Sequence, residues 1–425
     1  MSGGIEVPFL TAHLPGTGGR LRECPEDFRV EEKPLYEPCG TGSHAYLQVE
    51  KVGLSTFEAI RRLARALGRA ETEFGYAGIK DRHAQTVQLL SIEHPRCSLE
   101  ELQALEIDGL RIRAAAWHRN KLRIGHLQGN TFSIRIAQVR PDALARARAI
   151  LEVLEQRGLP NFFGPQRFGS HATTHLLGRA LVRGSAAAFF DALLDPPPEL
   201  LPAGKPLPAA PLYREGRYRE AEELLPWSAR CERQALRALM RTHGQPDRAL
   251  RILDRRLLRF YVAAYQSCLF NSVLAQRLGE LDGVRQGDVA YLHANGACFV
   301  VEDPSAERPR VEAFEISATG PLFGYRMLEA RGEVGALEGE ILREEGLGLE
   351  SFRAQRMLAF KGGRRPLRVP LRSPEVVSEG EDLILRCFLP AGTYATVLLG
   401  ELMKTEPLEG GEGTPSVLAI DDLTD

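Results

Sequence analysis

Gly75-Tyr76-Ala77-Gly78-Ile79-Lys80-Asp81-Arg82-His83-Ala84-Gln85-Thr86 is the densest polar cluster in the sequence. It lies between a helical stretch and the strand-like run Val87 to Ile92, so it reads as a turn within a mixed α and β segment. Cations beside a carboxylate favour its charged form. A charged carboxylate suits nucleophilic or electrostatic work on an electron-poor carbon. The bland reading of the same residues is a solvated turn with an incidental charge triplet, and composition alone favours it.

The flanking sequence supplies the frame. On the N-terminal side, Ser55 can cap a helix, Glu58 completes a capping box, and Phe57, Ile60, Leu63, Ala64 and Leu67 form one apolar face. Gly68 stands where that helix should stop. Phe28 to Glu31 and His44 to Val49 alternate with the period of two expected of half-buried strands. Leu89 to Ile92 and Thr131 to Ile136 read as further strands. A second helix is expected from about Asp142 to Arg157, stopped by Gly158 and Pro160.

Farther out, the middle third is mostly helical, with segments near 176–194, 218–224 and 230–242. A Pro-rich loop, Pro196 to Pro211, separates the first two. The strongest helix is expected over about Ala249 to Leu281, with Arg251, Arg255, Arg256 and Arg259 near its start. Strands return between Val369 and Leu399, Leu383 to Phe388 among them. Strands, then helices, then strands indicate an α+β domain with a mostly helical domain inserted in its chain.

Composition bounds the function. The 425 residues carry 54 Lys+Arg against 56 Asp+Glu, a net charge of −2, which excludes a strongly polybasic protein. The charge is uneven. Residues 405–425 hold Glu406, Glu409, Glu412, Asp421, Asp422 and Asp425 with no Lys or Arg, and read as a disordered acidic tail. Without that tail the body has 54 cations and 50 acids, a net of +4. Only seven cations are Lys; the other 47 are Arg, which suits bidentate phosphate contacts, though an Arg-rich genome gives the same bias. The N-terminus lacks a basic region followed by an apolar one, and no long apolar run occurs. The seven Cys are scattered without a CxxC, which reads as reduced thiols in the cytoplasm and no structural zinc.

Three segments place cations among or near aromatics. They are Trp117 to Arg123, with Arg119 and Lys121; Asn161 to Gly169, with Arg167; and Lys361 to Pro366, with Arg364 and Arg365 but no aromatic. Cations hold a phosphate backbone and aromatic faces stack on unpaired bases, so the three together favour RNA. Phe162, Phe163 and Phe168 can equally be core. His171 and His175 are spaced for one helix face but lack the Glu of a metalloprotease motif, and read as exposed or capping residues. Gly16-Thr17-Gly18-Gly19 has no strand-then-helix frame and reads as a turn.

Six motifs in order carry a resemblance. They are Pro25-Glu26-Asp27-Phe28-Arg29-Val30-Glu31-Glu32, Gly78 to Thr86, Gly125-x-Leu127-x-Gly129-Asn130-x-Phe132, Asn161 to Gly169, Ser267-x-Leu269-Phe270-Asn271, and Phe388 to Thr396. This order resembles the TruD family of tRNA pseudouridine synthases. The resemblance implies a mixed-sheet catalytic domain over 1–159 and 366–404 and a largely helical TruD insertion domain over 160–365, with RNA in the cleft between them. It also implies a tRNA partner, uridine 13 of the D-arm as target, no cofactor, no metal, no membrane and no obligatory protein partner.

By that resemblance Asp81 is the catalytic aspartate. Arg22 takes the place of a basic residue, usually Lys, that pairs with it. Phe28, Asn130 and Phe132 match residues that shape or support the site. Tyr394 matches an aromatic that packs on the flipped uracil; the family often has Phe there. Lys80, Arg82 and His83 flank Asp81 and join Arg119, Lys121, Arg167, Arg364 and Arg365 as candidate RNA contacts. A non-catalytic RNA-binding or tRNA-chaperone protein on the same fold is the alternative. A glycosidase would need a second catalytic acid, and Glu26, Asp27 and Glu31 offer none.

Overall fold

The computed structural model describes residues 7–21, 23–169, 172–201, 207–353 and 358–404. They form two compact units. Among the described residues, one comprises Thr11–Gln156 and Pro370–Lys404; the other is centred on Arg157–Val369.

The first unit is built on a nine-stranded mixed sheet. Its main path runs Glu375–Glu379, Asp382–Pro390, Leu127–Ala137, Phe28–Pro34, Gln85–Glu93, His44–Val52 and Leu110–His118. Arg20–Leu21 adds to Leu127–Ala137, and Phe74–Tyr76 adds to Gln85–Glu93. Phe28–Pro34 and Gln85–Glu93 run parallel; the other neighbours on the path are antiparallel. The period-two runs of the sequence all lie in these strands, which extend beyond them at one or both ends.

The helix expected after Ser55 spans Thr56–Leu67. Ser55 Oγ accepts from the Glu58 N–H at 3.1 Å, and the Glu58 carboxylate accepts from the Ser55 N–H at 2.8 Å. Gly68 closes the helix at φ 60°, a left-handed conformation that suits a residue without Cβ. Ala59, Ile60, Leu63 and Ala64 pack with Leu47, Val49, Leu90 and Ile92 of the sheet. Leu63 is fully buried, worth about 1.5–3 kcal/mol. The second helix spans Ala143–Arg157.

In the second unit the Arg255–Arg277 helix is central and packs on Thr174–Val182. It is shorter than the expected Ala249 to Leu281, because Asp254 caps it at the Arg256 N–H and Pro246–Leu250 forms a separate helix. The expected 176–194 helix is two, Thr174–Val182 and Ala186–Leu194. They are separated at Gly184, φ 74°, and the second is capped by Ser185.

The second unit is largely helical, as expected. This unit also holds a four-stranded antiparallel sheet in the order Cys298–Val300, Val289–Leu292, Ile316–Leu322 and Gly363–Pro366. These strands are short, and Ile316 to Pro321 is buried on both faces, so no period of two is visible. At Gly320 a Cβ would lie 2.9 Å from the Phe270 ring, so the helix seats against a bare backbone.

All seven cysteines are free. Among the described residues, no helix is long and apolar enough to cross a membrane. Gly16 to Gly19 lies in neither helix nor strand and is tied to Leu402 and Met403. The acidic tail, His171 and Lys205 within the Pro-rich stretch lie outside the described residues.

Candidate active site

Asp81 lies on the loop between Phe74–Tyr76 and Gln85–Glu93, two antiparallel strands paired Tyr76 to Leu90. Several contacts hold this loop, among them those made by Lys80 and by the Asp81 backbone. The Lys80 N–H donates to Thr56 Oγ1 at 2.9 Å, and Thr56 in turn donates to Gln88 Oε1 at 2.9 Å. The Lys80 ammonium is buried. It lies 2.7 Å from Glu32 Oε2 and 2.7 Å from Asn130 Oδ1. Lys51 Nζ donates to the carbonyls of Asp81 at 2.9 Å and Leu54 at 2.5 Å.

Sheet register explains why two residues distant in sequence meet Lys80. Glu32 and Asn130 are direct cross-strand partners on Phe28–Pro34 and Leu127–Ala137. Along the first strand Phe28, Val30 and Glu32 alternate inward. Phe28 and Phe132, both buried, meet edge to face at 6.0 Å. A Cβ at Gly129 would lie 2.2 Å from the Leu389 carbonyl and 2.6 Å from the Phe388 ring. The Gly129-Asn130 pair therefore lets Asp382–Pro390 close on this strand, with Leu389 opposite Asn130. Tyr394 follows that strand and begins the Ala395–Met403 helix, half-buried.

Lys51 is the residue that sequence reading missed. It is fully buried, and burial pulls its ammonium down to about 8, against the nearby Asp81 carboxylate, which raises it. Its signal was present: Ala45, Leu47, Val49 and Lys51 are successive inward positions of one strand, so the Lys stands on an apolar face. Glu32 carried the same signal at the inward end of its own alternation.

The other expected contacts divide. Arg82 and His83 are exposed, and Arg82 lies 3.6 Å from Glu58. Arg119 is exposed, whereas Lys121 donates to the Thr72 carbonyl at 2.7 Å. Arg22 lies outside the described residues.

Four expectations of RNA contact change with burial. Lys80 is closed between Glu32 and Asn130. Arg364 makes a bidentate pair with Glu338 at 2.9 and 2.7 Å, its side chain 2% exposed. Burial pushes the Glu338 carboxyl up even so. Arg365 donates to Asn161 Oδ1 at 2.6 Å and lies over the Phe163 ring at 4.2 Å. Arg167 donates to Ser267 at 3.2 Å and lies over Phe260 at 5.3 Å. Lys80 and Arg364 are desolvated cations and act as internal braces, so a phosphate would have to displace their partners; Arg167 and Arg365 are half-buried. Phe162, Phe163 and Phe168 are core. His175 packs edge-on to Phe168 at 5.9 Å, and burial lowers its imidazole to about 4, so it is neutral at pH 7.

No group of three or more His, Cys, Asp or Glu among the described residues is arranged to hold a metal ion. The loop carries one carboxylate, Asp81, on a backbone held by Lys51 and by the bonds of Lys80.

The family model for tRNA pseudouridine synthase D (TruD) matches residues 4–402. The chain belongs to the TruD family. A relative named tRNA pseudouridine synthase D from Geobacter metallireducens is 49% identical over 405 residues, 95% of this chain and 99% of that one. One of the same name from Thermus thermophilus is 41% identical over 415 residues, 96% of this chain and 95% of that one. The crystal structure of a TruD protein from Methanosarcina mazei superposes with a TM-score of 0.79 at 27% identity, covering 96% of this chain and 98% of that chain. The α+β architecture and mixed sheet of this TruD-family chain agree with that structure.

Proposed function

We propose that this chain isomerises a uridine in tRNA, position 13 of the D-arm, to pseudouridine, with Asp81 as the catalytic carboxylate. The observation that carries the reading is the bracing of the Asp81 loop: Lys80 is locked to Glu32 and Asn130, and Lys51 grips the Asp81 carbonyl. Family membership supplies the substrate class.

The reaction breaks the bond from ribose C1′ to uracil N1, rotates the base, and joins C1′ to C5. N1 ends protonated and C5 gives up its proton. A stacked base cannot undergo this rotation, so the nucleotide flips into a pocket. A preorganised carboxylate offsets the positive charge that develops at C1′, attacks that carbon, or removes a ribose proton on a glycal route. Phe28, Asn130 and Phe132 support the loop from the sheet, and Tyr394 packs on the uracil. Arg22 pairs with the carboxylate.

Loss of the C5 hydrogen supplies the assay. Tritium release from tRNA labelled at uridine C5 is expected from wild type and not from Asp81→Asn, while both bind tRNA. A folded wild type that binds tRNA and releases no tritium would establish the non-catalytic chaperone reading instead.

A further inference from the structure

In the second unit, two chain segments cross at a pair of glycines. A Cβ on Gly324 would lie 2.2 Å from the Gly362 nitrogen, and Gly362 has φ 81°. Only bare backbones can approach so closely. The crossing is tied by the Tyr325 N–H to the Phe360 carbonyl at 3.1 Å and the Arg326 N–H to the Lys361 carbonyl at 2.9 Å.

Each of the two rings, both half-buried, carries a guanidinium. Arg259 lies 4.5 Å from the Phe360 ring centre, and Arg353 lies 5.3 Å from that of Tyr325. Arg259, Arg326, Arg353 and Lys361 are all exposed, and none of the four is ion-paired among the described residues. Elsewhere in the unit cations close on acids, as Arg277 does on Asp288, Arg179 on Glu345 and Arg364 on Glu338.

Two physical arguments give this strip a ligand. Like charges gathered without acids repel, and an arriving polyanion relieves that repulsion. A guanidinium stacked on a ring has lost part of its side-chain freedom already, and its N–H edge is left to donate.

We propose that this crossing is a phosphodiester-binding strip for the RNA substrate, formed by Arg259, Arg326, Arg353 and Lys361. The proposal rests on the tRNA reading above and adds a surface to it. The strip positions RNA; it takes no part in the chemistry.

The test uses the full chain and a tRNA transcript that the wild type modifies. The variant Arg326→Gln/Arg353→Gln/Lys361→Gln is compared with Arg217→Gln/Arg308→Gln/Arg343→Gln, which removes three cations that are each paired to an acid. Binding is measured across a salt series, with thermal melts alongside. The strip variant should bind about tenfold or more weakly, with the slope of log K against log salt reduced by about 2, since each lost phosphate contact removes roughly 0.7–0.9. Its single-turnover rate at saturating tRNA should stay within about twofold of wild type. The paired-cation variant should keep the wild-type slope. The single change Arg326→Gln should lower the slope by about 1, which guards against a folding defect in the triple variant. A wild-type slope in the strip variant, or an equal loss in the paired-cation variant, overturns the strip. A wild type that neither binds nor modifies any tRNA overturns the reading beneath it instead.

Discussion

Lys51 Nζ lies 2.9 Å from the carbonyl oxygen of Asp81, so a fully buried ammonium holds the backbone of the residue assigned to chemistry. The same nitrogen donates to Leu54, which ties the loop to the start of the Thr56–Leu67 helix. Replacing Lys51 with Met keeps the volume and removes the donor. Hydrogen bonds from charged groups are worth about 1.5–3 kcal/mol. Single-turnover pseudouridine formation should therefore fall about 10- to 100-fold in Lys51→Met, with tRNA affinity within about twofold of wild type. Equal loss in both would show that Lys51 serves the fold generally.

The same residue sets a pH dependence. Burial lowers the folded Lys51 from 10.5 to about 8, with Lys80 adding to the shift and Asp81 and Glu58 opposing it. Between those values the unfolded chain binds more protons than the folded one, so this group's contribution to stability rises with pH through that window. The full rise is on the order of 3 kcal/mol. Urea unfolding of wild type and Lys51→Met at the two ends of the window should show the stability difference shifting in favour of wild type as pH rises. Parallel curves would contradict it.

The Glu32–Lys80 pair is nearly solvent-free, with side chains 1% and 5% exposed. Removing one partner strands a buried charge, at a cost of about 3–5 kcal/mol, whereas removing both is far milder. A double-mutant cycle of Glu32→Gln and Lys80→Met should show the double variant more stable than the sum of the single losses. Strict additivity would mean that the two charges do not depend on each other.

Arg364→Ala should act on folding. It strands Glu338 and takes a donor from Thr319, and a loss of about 3–5 kcal/mol in unfolding free energy is expected. The folded fraction should bind tRNA with the wild-type salt slope. A reduced slope at unchanged stability would return Arg364 to the RNA surface.

Tyr394 follows the strand that carries Leu389 opposite Asn130, and the proposed packing on uracil needs only its ring. Tyr394→Phe should retain activity within about threefold, and Tyr394→Ala should lose most of it. A Phe variant as inactive as Asp81→Asn would assign chemistry to the hydroxyl.

Much of this was legible in local sequence. Ser55, Glu58 and Gly68 delimited one helix, because capping is a contact among neighbours in the chain. Alternation located the long strands, because their side chains face core and solvent in turn. The order of the six motifs marked the family, and the polar turn around Asp81 marked the candidate site. The sheet of the second unit was hidden, since short strands buried on both faces carry no alternation.

What only tertiary structure decided is which charges face water. Arg364 and Arg365 look like a basic patch in sequence, yet Glu338 and Asn161 take their donors inside the fold. Arg259, Arg326, Arg353 and Lys361 are scattered in sequence, yet a crossing of two glycines gathers them outside it. Lys51 and Glu32 were readable as misplaced charges on apolar faces, but their partners came from strand register and a loop packed against it. Local patterns determine which side chains turn inward; the long-range pairing of strands determines what they meet there, and so how the loop that carries Asp81 is braced.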